Sequence, residues 1–283
     1  MLDKNTKILI VGLGLLGGSY AIKLKEKGYY VSAIDTDRDT VGYARKLRLV
    51  DYAASEVEKE LVRESDLVIF ALYPHIFVDW IKEYGHLIRP DAIVTDVTGV
   101  KGIITDKIQG MLEGGAEFIP AHPMAGKEHL GIENSDPGIF KEANYIVVPT
   151  KKNTERGIET CKALGETLEF ARISTLSTAE HDKMIAFVSQ LTHCIAVSLM
   201  CATDNEHLAE YTGDSFRDLT RIADINDEMW SGLFLDNREE LLAEMDKYRK
   251  SFDEIYNCIK NNNRDGLREM MKLSSKRRRR FNR

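Results

Sequence analysis

The first half of the chain alternates short, mostly apolar runs with stretches whose apolar residues recur every three or four positions. The runs are Lys7-Ile8-Leu9-Ile10-Val11, Tyr30-Val31-Ser32-Ala33-Ile34, Leu67-Val68-Ile69-Phe70-Ala71-Leu72, Ala92-Ile93-Val94-Thr95, Phe118-Ile119 and Tyr145-Ile146-Val147-Val148. A strand with apolar side chains on both faces needs cover on both, so these runs predict strands of a buried sheet. Ser19 to Lys27, Gly102 to Leu112 and Glu155 to Gly165 read as helices, and Phe170-Ala171-Arg172-Ile173 as one more short strand. Such alternation predicts right-handed βαβ units and a mostly parallel sheet.

From about Ser177 the short runs cease. Met184, Phe187, Val188, Leu191 and Ile195 recur at helical spacing, as do Leu241, Leu242, Met245 and Tyr248, then Phe252, Ile255, Tyr256 and Ile259. The pattern predicts an α/β chain: a sheet domain over residues 1–174, then an all-helical domain over 175–283. Wide apolar faces on so short a helical segment predict that part of them packs against a second copy, making a homodimer.

Composition narrows the class. The 283 residues are 43% hydrophobic and 30% charged, as in a globular protein with a sizeable core, and the net charge of −6 speaks against a nucleic-acid partner. No uninterrupted apolar run reaches the length of a membrane span, so no membrane partner is expected. Met1 to Thr6 lead directly into the first expected strand, so no signal peptide is expected. Cys161, Cys194, Cys201 and Cys258 form neither a CxxC pair nor a disulfide framework, which predicts reduced thiols, a cytoplasmic location and no metal site. The run Lys276-Arg277-Arg278-Arg279-Arg280 reads as a solvated basic tail.

Gly12-Leu13-Gly14-Leu15-Leu16-Gly17 matches GxGxxG between a strand and a helix, the setting that a dinucleotide fingerprint requires, so the sheet domain is expected to be of Rossmann type. Gly12 permits the tight turn, Gly14 the approach of a pyrophosphate, and Gly17 close packing of helix on strand. Leu15 and Leu16 open the helix whose N-terminus attracts the phosphates. Asp35 ends the second strand, where a carboxylate holds the ribose hydroxyls and repels a 2′-phosphate. NAD is therefore expected in preference to NADP. Pro74 is expected to end the strand that follows Asp66 and to shape the wall near the nicotinamide.

Further along lies Ile119-Pro120-Ala121-His122-Pro123-Met124-Ala125-Gly126, with His122 between a strand-like approach and a turn. A histidine displayed on a loop can serve as a base, although a structural role is its ordinary alternative. More specific is an ordered set of segments: Gly12 to Ser19, Asp96-Val97-Thr98-Gly99-Val100-Lys101, His122 to Gly126, His181-Asp182, Ser189-Gln190-Leu191-Thr192-His193, Leu219-Thr220-Arg221-Ile222-Ala223 and Met229-Trp230. In this order they resemble the prephenate dehydrogenase family, which includes arogenate dehydrogenases, over nearly the whole chain. The resemblance implies a nucleotide-binding domain, a helical dimerisation domain and an active site between them. It implies that His122 bonds the ring hydroxyl of the substrate, that Arg221 binds a carboxylate, and that His193 lies in the substrate pocket.

Two positions depart from the family pattern. Thr98-Gly99 stands where Gly-Ser is usual, so the hydroxyl expected beside His122 is missing at Gly99, with Thr98 its nearest substitute. Gln190 replaces a histidine and is carried as a substrate-binding candidate. The implied reaction is NAD-dependent oxidative decarboxylation of prephenate to 4-hydroxyphenylpyruvate in tyrosine biosynthesis. His122 would take the hydroxyl proton, Arg221 would anchor an anion through its planar fork, and Lys101, at the start of a helix, would contact the anionic ligand or the phosphates. Each residue has a structural alternative: Arg221 paired with Asp218 or Asp224, His193 in a core, His181 as a cap or interdomain bond, Trp230 as packing, Lys101 solvated. At the level of function the alternatives are arogenate dehydrogenase, a β-hydroxyacid dehydrogenase and a non-catalytic nucleotide-sensing dimer.

Overall fold

The computed structural model describes residues 2–127 and 129–282. Six parallel strands form the main sheet: β1 (Ile8–Val11), β2 (Val31–Ile34), β3 (Tyr52–Ala54), β4 (Leu67–Phe70), β5 (Ile93–Asp96) and β6 (Glu117–Phe118). They lie in the order β3-β2-β1-β4-β5-β6, so the order reverses direction between β1 and β4. In open parallel sheets, ligands bind at the carboxyl ends of the strands beside such a reversal. These mostly apolar strands have the expected cover. One cluster around Ile8, Ile10, Tyr20 and Leu24 packs on one face, and another around Leu9, Val11, Phe70 and Phe77 on the other.

The strands depart from expectation in three places. β3 was not expected, because Tyr52-Ala53-Ala54 is short and weakly apolar; its place at the sheet edge, paired only with β2, explains why so slight a strand suffices. The residues after Phe118 leave the main sheet. Ile119 still donates to the Val94 carbonyl, but the next carbonyl, that of Pro120, accepts from Val148 instead. From there β7 (Ala121–Pro123), β8 (Asn144–Val147) and β9 (Arg172–Thr175) make a separate three-stranded sheet, with β7 antiparallel and β9 parallel to β8. The last expected strand therefore starts two residues later than Phe170. His122 is in a strand, not on a loop.

The remainder is helical. Ser177 opens it with a capping box: its hydroxyl accepts from Glu180 N–H while the Glu180 carboxylate accepts from Ser177 N–H. Residues Thr178–Met200 run as one helix of 23 residues, with a π-helical turn at Ala186–Gln190. By length and composition this helix is apolar enough to cross a membrane, but Glu180, His181, Asp182 and Lys183 interrupt its apolar residues. Its His181, Asp182 and Gln190 side chains are nonetheless held in hydrogen bonds inside the protein, while Met184, Phe187 and Val188 lie exposed. Asp227–Asp236, the 23-residue Arg238–Lys260 and Arg264–Arg278 follow. The basic tail continues the last of these into the turn Arg279–Asn282.

Among the described residues after Ser177, the buried apolar set is only Ile185, Ala186, Leu191, Ala196 and Leu241. Phe252, Tyr256 and Ile259, expected on an apolar face, are each more than half exposed. A helical segment with so small a core of its own leaves a large apolar surface to cover.

Candidate active site

The glycine loop leaves β1 at its carboxyl end. Gly12 has φ +94°, a left-handed conformation that favours glycine, and a Cβ there would lie 2.5 Å from the Ala71 carbonyl oxygen at the end of β4. A Cβ on Gly17 would lie 1.9 Å from the Gly12 carbonyl oxygen. At Gly14, by contrast, a Cβ would meet nothing within 4 Å. Two glycines thus close the turn while the third leaves a space against the backbone. The helix Leu15–Glu26 begins there with no side-chain cap and no acidic residue in its first turn, so its leading N–H groups suit a pyrophosphate. Leu15 is buried and Leu16 packs on the core, so what they offer a cofactor is backbone N–H alone.

Asp35 faces this loop. Its Oδ2 accepts from Leu13 N–H at 2.6 Å and its Oδ1 from Asp37 N–H at 2.9 Å. One bond to each oxygen leaves lone pairs for the two hydroxyls of a ribose. These residues fit a dinucleotide on observations of space and hydrogen-bonding capacity. Pro74 differs from its expected role: it does not end a strand but opens the helix Pro74–Tyr84 at the first position, where its missing N–H is harmless.

The second part of the site is a buried polar chain that crosses from the sheet domain to the helical one. Asp96, at the carboxyl end of β5, and Lys101 are both fully buried and 2.7 Å apart. The Lys101 ammonium also donates to the Thr98 hydroxyl at 3.1 Å and to the Ala121 carbonyl at 2.6 Å. Those three bonds use its three donors. Lys101 is therefore not free to bind a phosphate or a substrate anion, and it precedes the helix Thr105–Met111 rather than starting it. Its real effect is to tie the β5 loop to the strand that carries His122. Burial lowers its pKa, and the Asp96 carboxylate opposes that.

Thr98 is corrected likewise. Its hydroxyl lies against the Asp96 carboxylate and accepts from Lys101, so it is engaged behind the site instead of standing in for a serine beside His122. At Gly99 itself, a Cβ would come within 3.2 Å of Leu233 Cδ2, from the helix Asp227–Asp236.

The partner of His122 is another histidine. His122 Nδ1 lies 2.9 Å from Nε2 of His181, which is fully buried, and His181 Nδ1 lies 2.7 Å from Asp182 Oδ1. Asp182 also accepts from the backbone N–H groups of Lys101, at 2.9 Å, and Gly102, at 2.6 Å. Burial pushes the Asp182 pKa up, but His181 and these two N–H groups outweigh it and hold the carboxylate below its usual range. Burial also lowers His181, against the pull of Asp182, and lowers His122 well below the ordinary histidine value, with His181 and Lys101 adding to the effect. His122 is half-buried, so the ring sits deep yet remains reachable. The pairing of His181 with His122 was not read from the sequence; the only signal was the His181-Asp182 dipeptide at the head of the helical domain.

The third part carries the other substrate candidates. His193 is half-buried, its Nδ1 donates to the Ser189 carbonyl at 2.9 Å, and Trp230 stacks on its ring at 3.6 Å between centroids. Its pKa is lowered by burial and by the charge of Arg221, while the Ser189 bond opposes this. Arg221 is exposed in the turn Arg221–Ala223, close enough for its charge to act on His193. Trp230 and Leu233 share one helix, which links His193 to Gly99 across the domain boundary. Gln190 is not available to a ligand. Its Nε2 donates to the Leu233 carbonyl at 2.7 Å and its Oε1 accepts from Asn237 at 2.8 Å, with the side chain buried. It braces the Leu233 helix instead.

Comparison with known proteins decides what this architecture belongs to. Residues 20–173 match the nucleotide-binding domain of prephenate dehydrogenase, and residues 177–273 match its dimerization domain. The chain belongs to the prephenate dehydrogenase family. A prephenate dehydrogenase of Lactococcus lactis is 30% identical over 257 residues, which cover 88% of this chain and 70% of the relative. The crystal structure of the Aquifex aeolicus prephenate dehydrogenase, in complex with hydroxyphenyl propionate and NAD+, is similar at a TM-score of 0.88 and 26% identity over 98% of this chain and 99% of that one. Synechocystis arogenate dehydrogenase gives 0.84 and 25% over 98% of this chain and the whole of the other.

Proposed function

We propose that this protein oxidises prephenate with NAD, releasing carbon dioxide and 4-hydroxyphenylpyruvate in tyrosine biosynthesis. The observation that carries the reading is the pairing of His122 with His181, which engages Nδ1 and leaves Nε2 as the one ring nitrogen for a substrate hydroxyl. Prephenate has a carbinol and two carboxylates on a cyclohexadiene ring. NAD, held by the Gly12–Gly17 loop and Asp35, would supply the hydride acceptor for the carbinol carbon, and loss of carbon dioxide would aromatise the ring. The work of the chain is to accept the hydroxyl proton at His122, orient the ring and bind the anions. Arg221 supplies a planar fork for a carboxylate, and His193, backed by Trp230, forms part of the wall. Thr98, Lys101 and Gln190 act as supports of this arrangement. Asp35 favours NAD over NADP through repulsion of a 2′-phosphate.

A second reading, oxidation of arogenate to tyrosine, is favoured by the likeness to the Synechocystis enzyme. Substrate-dependent NADH formation with prephenate and with arogenate, each with NAD and NADP, tests both. Turnover of prephenate with NAD at the highest kcat/KM is expected. Faster turnover of arogenate would install the second reading, and NAD binding without NADH formation from either would end both. A homodimer built on the exposed apolar faces of the helical domain is part of the proposal, as is a cytoplasmic location. Sedimentation and cell fractionation test them.

A further inference from the structure

We infer that Asp182 and His181 are positioning residues that fix the tautomer of His122. The inference rests on the proposed role of His122 and extends it to two residues that touch no substrate.

It follows from what each group can donate. An ionised carboxylate accepts only, and Asp182 already receives two backbone N–H groups, from Lys101 and Gly102, that hold it ionised and in place. The ring nitrogen facing it, His181 Nδ1, must therefore carry the hydrogen. A neutral imidazole has only one, so His181 Nε2 bears a lone pair. That lone pair lies 2.9 Å from His122 Nδ1 and accepts from it. In neutral His122 the hydrogen is then on Nδ1, and Nε2 is bare. Bare Nε2 is the form able to accept a proton from a hydroxyl. The opposite tautomer would present an N–H to the substrate and block the reaction, as the wrong tautomer does in serine-protease triads.

Two features favour this over a packing role. Asp182 and His181 belong to the first helix of the helical domain, whereas His122, Lys101 and Gly102 belong to the sheet domain. The base is thus in its working form only when the two domains are docked. The neutral state that the scheme requires is also the one that burial favours. The charged groups facing the two histidines are Asp182, Lys101 and Asp96; the positive charge of Lys101 disfavours a cation on either ring, whereas the two carboxylates favour one on His181.

The experiment begins with the unaltered protein labelled with nitrogen-15 at histidine. Long-range nitrogen–proton spectra, with His122 assigned through His122→Asn, report which ring nitrogen bears the hydrogen. Hydrogen on Nδ1 and a bare Nε2 are expected at neutral pH. Hydrogen on His122 Nε2 would overturn the inference, whatever the substrate proves to be. In Asp182→Ala both histidines are expected to show mixed tautomers, and an unchanged spectrum would remove Asp182 from the scheme. For turnover, His181→Phe removes the acceptor, whereas His181→Gln offers a carbonyl oxygen to His122 Nδ1. The Phe variant is expected to lose kcat by on the order of 10²-fold with KM for NAD unchanged. The Gln variant should recover most of that loss. A Phe variant at wild-type speed, or a folded Gln variant as slow as Phe, would also overturn it. Should the Phe variant fail to fold, the spectrum of the unaltered protein decides.

Discussion

His181 reaches across the domain boundary to stand 2.9 Å from His122, so the candidate base is held by a residue of the other domain. The placement of His122 depends on domain docking as much as on its own strand.

Removing the base tests its role most directly. His122→Asn keeps a polar side chain of similar reach but has no titratable nitrogen. A fall in kcat of about 10²- to 10⁴-fold is expected, with NAD binding intact by fluorescence titration. Near wild-type turnover would exclude His122 as the base.

Arg221 is exposed, and as the proposed carboxylate anchor its loss should act on binding. Arg221→Ala is expected to raise KM for prephenate while changing kcat little. An unchanged KM in steady-state kinetics would remove it from the carboxylate site.

The histidine pair is expected to set the pH dependence of turnover. Both pKa values are lowered from 6.5, so the neutral forms persist below the ordinary histidine range. The acid limb of kcat/KM is expected below pH 6.5, and a limb above it would contradict the burial seen here. Stability follows with a definite sign. The unfolded chain binds these protons first, so their contribution is complete above about pH 6.5 and is lost as pH falls towards the folded pKa values. The slope is at most about 1.4 kcal/mol per pH unit for each histidine. Chemical denaturation at several pH values measures it.

Breaking the Asp96–Lys101 pair should damage the fold before the chemistry. Lys101→Met leaves a fully buried carboxylate without its cation, and a loss of about 3–5 kcal/mol is expected from the shift in denaturation midpoint. A loss below 1 kcal/mol would show that Asp96 finds other partners.

The glycine loop separates folding from cofactor binding. Gly17→Ala drives a Cβ into the Gly12 carbonyl and should destabilise the domain, whereas Gly14→Ala meets open space. Gly14→Ala is therefore expected to unfold at the wild-type temperature and yet bind NAD more weakly. Wild-type affinity would mean that the cofactor does not approach Gly14.

Local pattern determined much of this protein. Apolar runs marked five of the six strands of the main sheet because strands covered on both faces have no polar side to interrupt them. The glycine fingerprint and Asp35 were legible because backbone conformation and close approach restrict residue type at single positions. Ordered segments made His122, Arg221 and His193 candidates, and the change to helical spacing near Ser177 marked the helical part of the chain.

Tertiary structure alone decided what the polar residues do. Lys101, Thr98 and Gln190 looked available because sequence shows what a side chain can donate or accept but not what lies next to it. In the folded chain Asp96, Ala121, Leu233 and Asn237 take up those capacities. The link from Asp182 through His181 to His122 joins residues 59 and 60 positions apart, and only the docking of two domains creates it. The transfer of β7 to a second sheet was equally hidden. It rests on where Ile119 and Pro120 find their hydrogen-bond partners, on Val94 and Val148 far along the chain in either direction.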